Sequence, residues 1–260
     1  MDTISFRRLW DDLLSEGVVS ITSEEIAARA GTSRESVYTA THRATREGLL
    51  FSPARGLHVL VPPEYRSWGS VPADWFIDEM MAHLSASYYV AYLSAAARHG
   101  ASHQAVQHFQ VMTRKHVTSR DIGRVKLRFY RSASLASHAV VQQNGPTGML
   151  WVATPETCIL DLADRPDAGG GLATILEVIG ELPVDVTTLS EAASHRTRAV
   201  VRRTGWLLSR THPDLDLSRL ELQAASGVGR VTPLVTGQPP TGSVDKRWGV
   251  DVNTTAGAAS

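Results

Sequence analysis

Two helix-start signals stand ten residues apart near the beginning of the chain. Thr22 lies three residues before Glu25, the spacing of a capping box, in which a hydroxyl and a carboxylate satisfy the free amides of a helix start. Thr32 lies three residues before Glu35 in the same way. Between the two signals, Gly31 can adopt the positive φ that a tight corner between helices needs. The spacing therefore predicts two short helices joined by a sharp turn.

The second predicted helix has an apolar side and a polar side. Val37, Ala40 and Ala44 recur at a spacing that places them on one buried face. The other positions are polar and partly cationic, so this helix should expose a hydrophilic face. They include Glu35, Ser36, Tyr38, Thr39, His42, Arg43 and Arg46.

A short hairpin is predicted directly after this helix. Gly48 ends the helix, and runs of strand-forming residues follow at 49–52 and 57–61. They flank Pro53-Ala54-Arg55-Gly56, a sequence typical of a hairpin turn with Arg55 at its tip. Helix, turn, helix and hairpin in this order predict a winged helix-turn-helix, a module that places its second helix in a DNA groove.

An earlier segment completes this module. Residues 3–16 carry Phe6, Leu9, Trp10, Leu13 and Leu14 at helical spacing, which predicts a first helix that closes the core. We therefore assign residues 1–62 to a winged helix-turn-helix DNA-binding domain and the proline-rich and glycine-containing residues 63–73 to a linker. The alternative that the module packs against another surface instead of DNA stays open, because helix-turn-helix patterns have false positives.

The composition is that of a globular protein with two cores. Of its 260 residues, 43% are hydrophobic and 20% charged, which supports folded domains and not a disordered chain. No apolar run approaches about 18 residues and no charged-then-apolar leader is visible, so we expect neither a membrane span nor secretion, and a cytoplasmic location. The single cysteine, Cys158, lies in an apolar run and should be a buried core residue.

Lysine and arginine are concentrated in two segments of the chain, although the net charge is zero. Residues 98–131 hold eight Lys or Arg and one acid, and residues 192–213 hold five Arg and no acid. Strand alternation over 124–129 would turn Val125, Leu127 and Phe129 inward and place three cations outward in a row. A solvated strand face and a partner-binding surface are both open interpretations of this stripe.

Residues 74–253 predict a larger mixed α+β domain with an antiparallel sheet, so the predicted fold class is α+β. Helices are predicted over 75–84, 88–99, 102–108, 155–163, 172–181 and 188–203, the last ending at Gly205. Strands are predicted over 109–112, 124–130, 138–142 and 149–153, with a strand-like segment at 247–253. Residues 254–260 are small and polar and predict a flexible tail.

Signals for enzyme or metal chemistry are weak. No P-loop, Gly-x-Ser-x-Gly or His-Glu-x-x-His pattern occurs, and Gly169–Gly171 predicts a connecting loop. His99 and His103 are four residues apart, but no cysteine and few carboxylates join them, which favours surface histidines over metal ligands. We therefore expect a protein that is not an enzyme and holds no cofactor or metal. The alternative is an enzyme, a kinase-like modifier of a partner protein that uses the second domain.

Three stretches that follow the winged module carry a family resemblance. They read YYVAYLSAA at 88–96 with His99-Gly100, ATPETCILDL at 153–162, and RWGVDVN at 247–253. In this order they resemble the AbiEi family, transcriptional repressors that are the antitoxins of bacterial toxin–antitoxin pairs. The resemblance implies repression of the protein's own operon through inverted repeats, and protection against a co-encoded toxin with a nucleotidyltransferase fold. The wing at 51–59 departs from the family pattern, which usually has a shorter turn and a tyrosine near His58.

The candidate DNA contacts are of two kinds, since phosphate contacts position a protein on double-stranded DNA and base contacts specify sequence. Arg55 in the wing could enter the minor groove. The candidates for phosphate are Ser33, Arg34 and Ser36, and those for base edges are Thr39, His42 and Arg43. A further basic surface could meet DNA, an acidic toxin surface, or tRNA held by the toxin. It comprises Arg114, Lys115, Arg124, Lys126, Arg128, Arg196, Arg198, Arg202 and Arg203.

Overall fold

The computed structural model describes residues 5–101, 107–225 and 231–253, and has a mixed α+β fold, as predicted. Most of the predicted helix at 102–108 and all of the predicted tail at 254–260 lie outside these residues. No helix within them is both long and apolar enough to cross a bilayer. Internal packing divides the chain into two units, each described below by itself. The first comprises Met1–Tyr88, Gln107–Ser132 and Gln142–Trp151, and the second comprises Tyr89–Val106, Ala133–Val141 and Val152–Ser260.

The first unit begins with the predicted helices and hairpin. The strands form a three-stranded antiparallel sheet in the order β1-β3-β2. The order of elements is compatible with a winged helix-turn-helix. The elements are α1 (Phe6–Ser15), β1 (Ser20–Thr22), α2 (Ser23–Ala30), α3 (Arg34–Arg46), β2 (Leu50–Ala54) and β3 (Leu57–Leu60).

A single apolar core holds these elements together. Leu13 of α1, Ile26 of α2 and Val37 of α3 are almost completely buried in it. Burial of each such side chain contributes about 1.5–3 kcal/mol relative to exposure, so the core fixes the angle between α2 and α3. The remaining members are Leu9, Trp10, Ile21, Ala30, Ala44, Leu49, Leu50 and Leu60.

The two helix starts differ in how they are capped. At α2 the predicted capping box is present, because the Thr22 hydroxyl accepts from the Glu25 amide and the Glu25 carboxylate accepts from the Thr22 amide at 2.7 Å. These bonds lower the pKa of Glu25. At α3 the prediction was wrong by one residue: Ser33, not Thr32, is the N-cap and accepts from the Ser36 amide. Thr32 still belongs to the turn, whose left-handed residue is Gly31 with φ 60°.

The rest of the first unit contains a second group of strands. Strand β5 pairs in parallel with β7, and β6 pairs antiparallel with β7, so the sheet predicted to be antiparallel is mixed. Parallel pairing was not visible in the sequence, since it depends on which strands meet. The further elements are the 3-10 helices η1 (Pro63–Trp68) and η2 (Ala73–Trp75), α4 (Ile77–His83), β5 (Phe109–Thr113), β6 (Arg120–Ile122) and β7 (Val125–Arg131).

Backbone contacts attach the β6–β7 hairpin to the rest of this unit. The Arg124 amide donates to the Trp68 carbonyl at 3.0 Å, and the Arg120 guanidinium donates to the Pro53 carbonyl. Gly123 has φ 55°, and a Cβ there would overlap the Trp68 carbonyl oxygen. Residue 123 therefore needs glycine both for its left-handed backbone and for close approach.

The second unit begins at the segment predicted as one helix over 88–99. That prediction was wrong, because the segment forms strand β4 (Tyr88–Val90) followed by helix α5 (Tyr92–Arg98). Tyr92 has a left-handed φ of 51°, which breaks helical continuity at the start of α5. The 3-10 helix η3 (Leu135–Ser137) also belongs to this unit. Strands β8 (Val140–Asn144) and β9 (Met149–Ala153) are divided between the two units, and Val90 pairs in parallel with Val152 of the second unit.

Helices make up most of the second unit. Helix α6 begins at the predicted cap, with the Thr154 hydroxyl accepting from the Thr157 amide, and buries Cys158 as expected. Helix α9 packs against α6, α7 and α10. The remaining elements are α6 (Pro155–Asp164), the 3-10 helix η4 (Pro166–Gly169), α7 (Leu172–Glu181), α8 (Val186–Ala193), α9 (Arg198–Thr211), α10 (Ser218–Ala225), β10 (Thr232–Pro233), β11 (Val244–Asp245) and β12 (Val250–Asp251).

The basic segment predicted as one helix over 188–203 is two helices. Helix α8 ends at Ala193 and α9 begins at Arg198, with Thr197 as its N-cap. Gly205 lies inside α9 and does not end it. The side chain of Trp248 packs directly on Gly205, so the glycine serves a long-range contact that helix-stop rules do not include.

Candidate nucleic-acid interface

Helix α3 presents a polar face to solvent. Val37 and Thr41 on its inner side are buried, whereas Thr39, His42 and Arg43 on its outer side are exposed. The predicted base-reading residues are therefore open to solvent on one helix face.

An aromatic residue extends this face. Tyr38 is 72% exposed and stacks against His42 with ring centroids 6.3 Å apart. Large aromatic side chains are seldom left this exposed without a partner. Tyr38 was predicted to lie on the exposed face of this helix, but it was not among the DNA contacts predicted from the sequence.

The start of α3 offers hydrogen-bond donors to an anion. Ser33 and Ser36 are joined by a 3.1 Å hydrogen bond between their hydroxyls, and both lie at the helix N-terminus, where free amides and the helix dipole favour negative charge. Arg34 is exposed and lies 3.6 Å from the Glu24 carboxylate. These three predicted phosphate contacts are adjacent in space because they share one helix turn.

Acidic partners hold the cations of α3 in surface ion pairs. Arg43 donates to the Glu47 carboxylate at 2.8 Å, a bond that raises the pKa of Arg43 and lowers that of Glu47. Arg7 of α1 reaches the same carboxylate at 4.0 Å. Exposed ion pairs of this kind contribute little to stability, so an acceptor on DNA could displace Glu47 from Arg43 at little cost.

The wing is a short, internally bonded hairpin. Arg55 is exposed at its tip, beside Gly56 with φ 79°, and the Arg55 carbonyl accepts from His83 at 2.9 Å. His58 lies between the hydroxyls of Ser23 and Ser52 at 2.9 and 2.8 Å, and its burial lowers its pKa. These bonds show that His58 stabilises the hairpin. Arg55 is therefore the wing residue whose exposed side chain is available to a ligand.

The cations predicted on the strand stripe are partly available. Lys126 and Arg124 are exposed, with the Arg124 guanidinium 5.4 Å from the centre of the Trp68 ring. Arg128 is half-buried and donates to Asp121 at 2.6 Å. Arg114 and Lys115, after β5, are also exposed. On the inner side Leu127 is buried as predicted, while Val125 and Phe129 are only partly covered.

The arginines of the second basic segment lie mostly inside the second unit. Arg203 is only 6% exposed and donates to the carbonyls of Pro233 and Ala163. The Arg196 side chain is 9% exposed and bonded to Asp161. Placing Arg196 and Arg203 on an exposed basic surface was therefore wrong, because both bind acceptors within the fold. Arg198 and Arg202 are half-buried, and Arg202 donates to the Ala224 carbonyl.

A buried polar network lies in the second unit. The Tyr89 hydroxyl donates to Asp161 at 3.0 Å and is 2.6 Å from Nδ1 of His138. Because the phenol has one proton, it must accept from Nδ1–H of a neutral His138. The unprotonated Nε2 then accepts from the Ser134 hydroxyl at 3.2 Å. Arg196 completes the network with a 2.7 Å ion pair to Asp161.

Burial and charge set the protonation of this network. Desolvation raises the pKa of Asp161 to about 6, although Arg196 and Tyr89 both act to lower it. Desolvation and the nearby charges of Arg196 and His195 lower the pKa of His138 to about 4. With His138 neutral, these hydrogen bonds and the ion pair link side chains from four separate segments of the chain.

Comparison with known proteins relates a part of the chain that includes residues of both units to a family. Residues 89–210 match the AbiEi antitoxin C-terminal domain. The match confirms the family resemblance over residues 89–210, which we call the AbiEi segment. All four principal members of the buried network, Tyr89, His138, Asp161 and Arg196, lie within the AbiEi segment. The match supports an antitoxin role in a toxin–antitoxin pair.

A solved structure shares the fold over most of the chain. The crystal structure of the RV2827C protein from Mycobacterium tuberculosis aligns with a TM-score of 0.67 and 19% sequence identity. The alignment covers 94% of this chain and 89% of that protein, so the similarity extends beyond the AbiEi segment. At this identity it establishes a common fold and no more. The comparison with curated proteins gave no match.

Proposed function

We propose that the chain is a DNA-binding antitoxin in which α3 reads the major groove of its own operator. The proposal rests on the outer face of α3, where Thr39, His42 and Arg43 are exposed over a buried inner face. A helix presented in this way, supported by a second helix and a hairpin, has the geometry by which helix-turn-helix proteins reach base edges. Tyr38 adds a large exposed ring to the same surface.

Phosphate binding would fix the register of α3 on the duplex. Ser33, Arg34 and Ser36 lie at the helix N-terminus, where amides, hydroxyls and a guanidinium can all donate to phosphate oxygens. Arg55 at the wing tip would enter the adjacent minor groove. Inverted repeats would then require two copies of the chain on one operator.

The AbiEi segment would carry the second half of the function. We propose that it counteracts a co-encoded toxin of the nucleotidyltransferase type in the cytoplasm, and that the complex also represses the shared operon. The strand cations Arg114, Lys115, Arg124, Lys126 and Arg128 of the first unit would form a basic surface for DNA, toxin or toxin-bound tRNA. Arg198 and Arg202, half-buried in the second unit, are separate candidates for the same partners.

A gel shift on the DNA upstream of the gene tests the first part. Removing Arg34 and Arg43 together should abolish the specific shift, since each contact to a base or phosphate contributes about 1–3 kcal/mol. Arg8→Ala is the matched control, because Arg8 is an exposed cation of the same module that pairs with Asp12 of its own helix α1. An equal loss in Arg8→Ala, or an equal loss on random DNA, would contradict base reading by α3.

Co-expression with the adjacent toxin gene tests the second part. The intact chain should restore growth of cells that express the toxin, and the Arg34→Ala, Arg43→Ala double variant should still do so when expressed from an unrelated promoter. The alternative, a kinase-like modifier, predicts transfer of labelled phosphate from ATP to the toxin. Labelling of the toxin, or failure of the intact chain to protect, would contradict the proposal.

A further inference from the structure

A small cavity in the first unit lies beside the end of the parallel strand pair. It has a volume of about 220 Å³ and is formed where the loop between β5 and β6 folds back over β7. Paired residues Thr113 and Arg131, at the ends of β5 and β7, bound it on one side. Its lining residues are Thr113, Lys115, His116, Val117, Thr118, Ser119, Phe129, Tyr130 and Arg131.

The cavity is cationic. Lys115 and Arg131 bring two permanent positive charges to it, and His116 brings a further ring nitrogen. None of the described residues that line it is acidic. The acid on the neighbouring strand, Asp121, is bonded to Arg128 at 2.6 Å. The charges of the cavity are thus left without a carboxylate in its wall, which favours an anionic ligand.

Hydrogen bonds hold the loop in place before any ligand arrives. The Phe129 amide donates to the Ser119 hydroxyl at 3.0 Å, which fixes the far end of the loop to β7. At the near end the Lys115 amide donates to the Thr113 hydroxyl, and the Lys115 ammonium donates to the Leu84 carbonyl at 2.8 Å. Two ammonium protons of Lys115 remain for a ligand. A preorganised loop loses less entropy on binding.

The size and the aromatic wall narrow the ligand class. Drug-sized ligands occupy pockets of about 300–1,000 Å³, so 220 Å³ suits a phosphate with an adjoining sugar or base. Phe129 and Tyr130 are half-buried in the wall, and aromatic rings bind bases by stacking. A lining that contains both cations and aromatic rings matches the two chemical parts of a nucleotide.

We propose that this cavity binds one nucleotide, with Arg131 and Lys115 on the phosphate and Phe129 against the base or sugar. The proposal goes beyond DNA reading by α3 and does not depend on it. The nucleotide could be free or could be the phosphorylated end of a single strand, since both present the same groups.

Calorimetric titration of the full chain with 5′-AMP, adenosine and inorganic phosphate tests the proposal. AMP should bind with a Kd below about 1 mM, and adenosine should bind at least about tenfold more weakly because it lacks the charge-assisted bonds. Arg131→Ala and Lys115→Ala should each weaken AMP binding about tenfold. Arg66→Ala is the matched control, an exposed cation of the same unit that does not line the cavity.

Competition by single-stranded oligonucleotides identifies the source. If a 5′-phosphorylated strand binds more tightly than AMP, the site is assigned to strand ends. If AMP binds more tightly than the strand, the site is assigned to free nucleotides. Either result supports the proposal. Displacement of AMP by a 5′-hydroxyl strand at the same concentration as by a 5′-phosphorylated strand would overturn the proposal, because it would show that the site does not recognise the terminal phosphate. No binding of any phosphate probe at about 1 mM, or an equal loss in Arg66→Ala, would also overturn it. Arg131→Lys keeps the positive charge and should retain part of the affinity for AMP. Retained affinity in this variant would show that the loss in Arg131→Ala reflects the missing charge and not a folding defect.

Discussion

The indole ring of Trp248 occupies the space that a side chain at Gly205 would need. Gly205 lies inside α9, and a Cβ built on it would overlap the Trp248 ring, which is almost completely buried. The glycine therefore weakens the helix locally in order to admit a large apolar side chain from the end of the chain. The last motif of the sequence, RWGVDVN, is in this way anchored to the centre of the second unit.

Replacing Gly205 with alanine should destabilise the protein. The added methyl group must displace Trp248, and overpacking of this kind costs about 1–3 kcal/mol in the free energy of unfolding. Gly180→Ala is the control, because Gly180 is also helical but its nearest neighbour would lie 4.0 Å from the new Cβ; there alanine should be neutral or stabilise by about 0.5–1 kcal/mol. Urea unfolding of both variants measures the difference, and equal effects would refute the packing argument.

Removing Arg196 should leave Asp161 as an unpaired buried carboxylate. Asp161 is fully buried and bonded to Arg196 at 2.7 Å, and loss of one partner of such a pair costs about 3–5 kcal/mol. Arg196→Met should therefore lower the unfolding free energy strongly. The double variant Arg196→Met, Asp161→Asn should recover part of the loss in a double-mutant cycle. Strictly additive effects would show that the two side chains do not interact.

The destabilisation caused by His138→Gln should depend on pH. Burial lowers the pKa of His138 from 6.5 to about 4, so neutral His138 contributes stability that is complete above pH 6.5 and is lost as the pH falls toward 4. Glutamine does not titrate. The stability difference between the native chain and the variant should therefore be largest above pH 6.5 and shrink toward pH 4, as measured by chemical unfolding across this range. A difference that stays constant with pH would contradict a buried neutral histidine.

The loss of stability on alanine substitution should show which of Ser33 and Thr32 is the N-cap of α3. Ser33→Ala removes the hydroxyl that accepts from the Ser36 amide and should cost about 0.5–2 kcal/mol. Thr32→Ala removes no cap bond and should cost less than Ser33→Ala. Thermal unfolding of the two variants gives the comparison. The reverse order would restore Thr32 as the cap, as the sequence spacing had suggested.

Glu47 restrains the proposed DNA contact Arg43. Glu47→Gln removes the carboxylate to which Arg43 donates at 2.8 Å, so operator affinity should rise, by about two- to fivefold for an exposed pair. The salt dependence of binding should also become steeper, because the variant carries one negative charge less near phosphate. Glu16→Gln, which frees Arg29 of α2 instead, is the control. Unchanged affinity in Glu47→Gln would show that Glu47 does not compete with DNA for Arg43.

Local signals were sufficient to predict the helices and hairpin of the first unit. Thr22 and Glu25 form the predicted capping box, Gly31 adopts the predicted left-handed turn, and Arg55 stands at the hairpin tip. Each of these features depends on residues a few positions apart, so its free energy is encoded in a short stretch of sequence. The AbiEi resemblance was confirmed over residues 89–210 by the family match.

Contacts between distant parts of the chain escaped prediction. The alanine-rich segment after Tyr88 has helical composition, yet its first residues form a strand, with Val90 pairing with Val152. Arg196, before α9, and Arg203, within it, were indistinguishable from surface cations in the sequence. In the structure Asp161 accepts from Arg196, and the carbonyls of Pro233 and Ala163 accept from Arg203. The hydrogen-bond partners of an arginine cannot be inferred from its neighbours in the sequence, because its long side chain can donate to any acceptor that folding brings near.

The amino-acid sequence by itself determined where helices begin, where the hairpin turns and which family the second half resembles, because caps, periodicity and turn residues act over one or two helical turns. Only the tertiary structure decided which cations are buried, which strands run parallel, and that Tyr89, His138, Asp161 and Arg196 form one network. Burial and electrostatic energy depend on every group that surrounds a side chain, and those groups come from segments far apart along the chain.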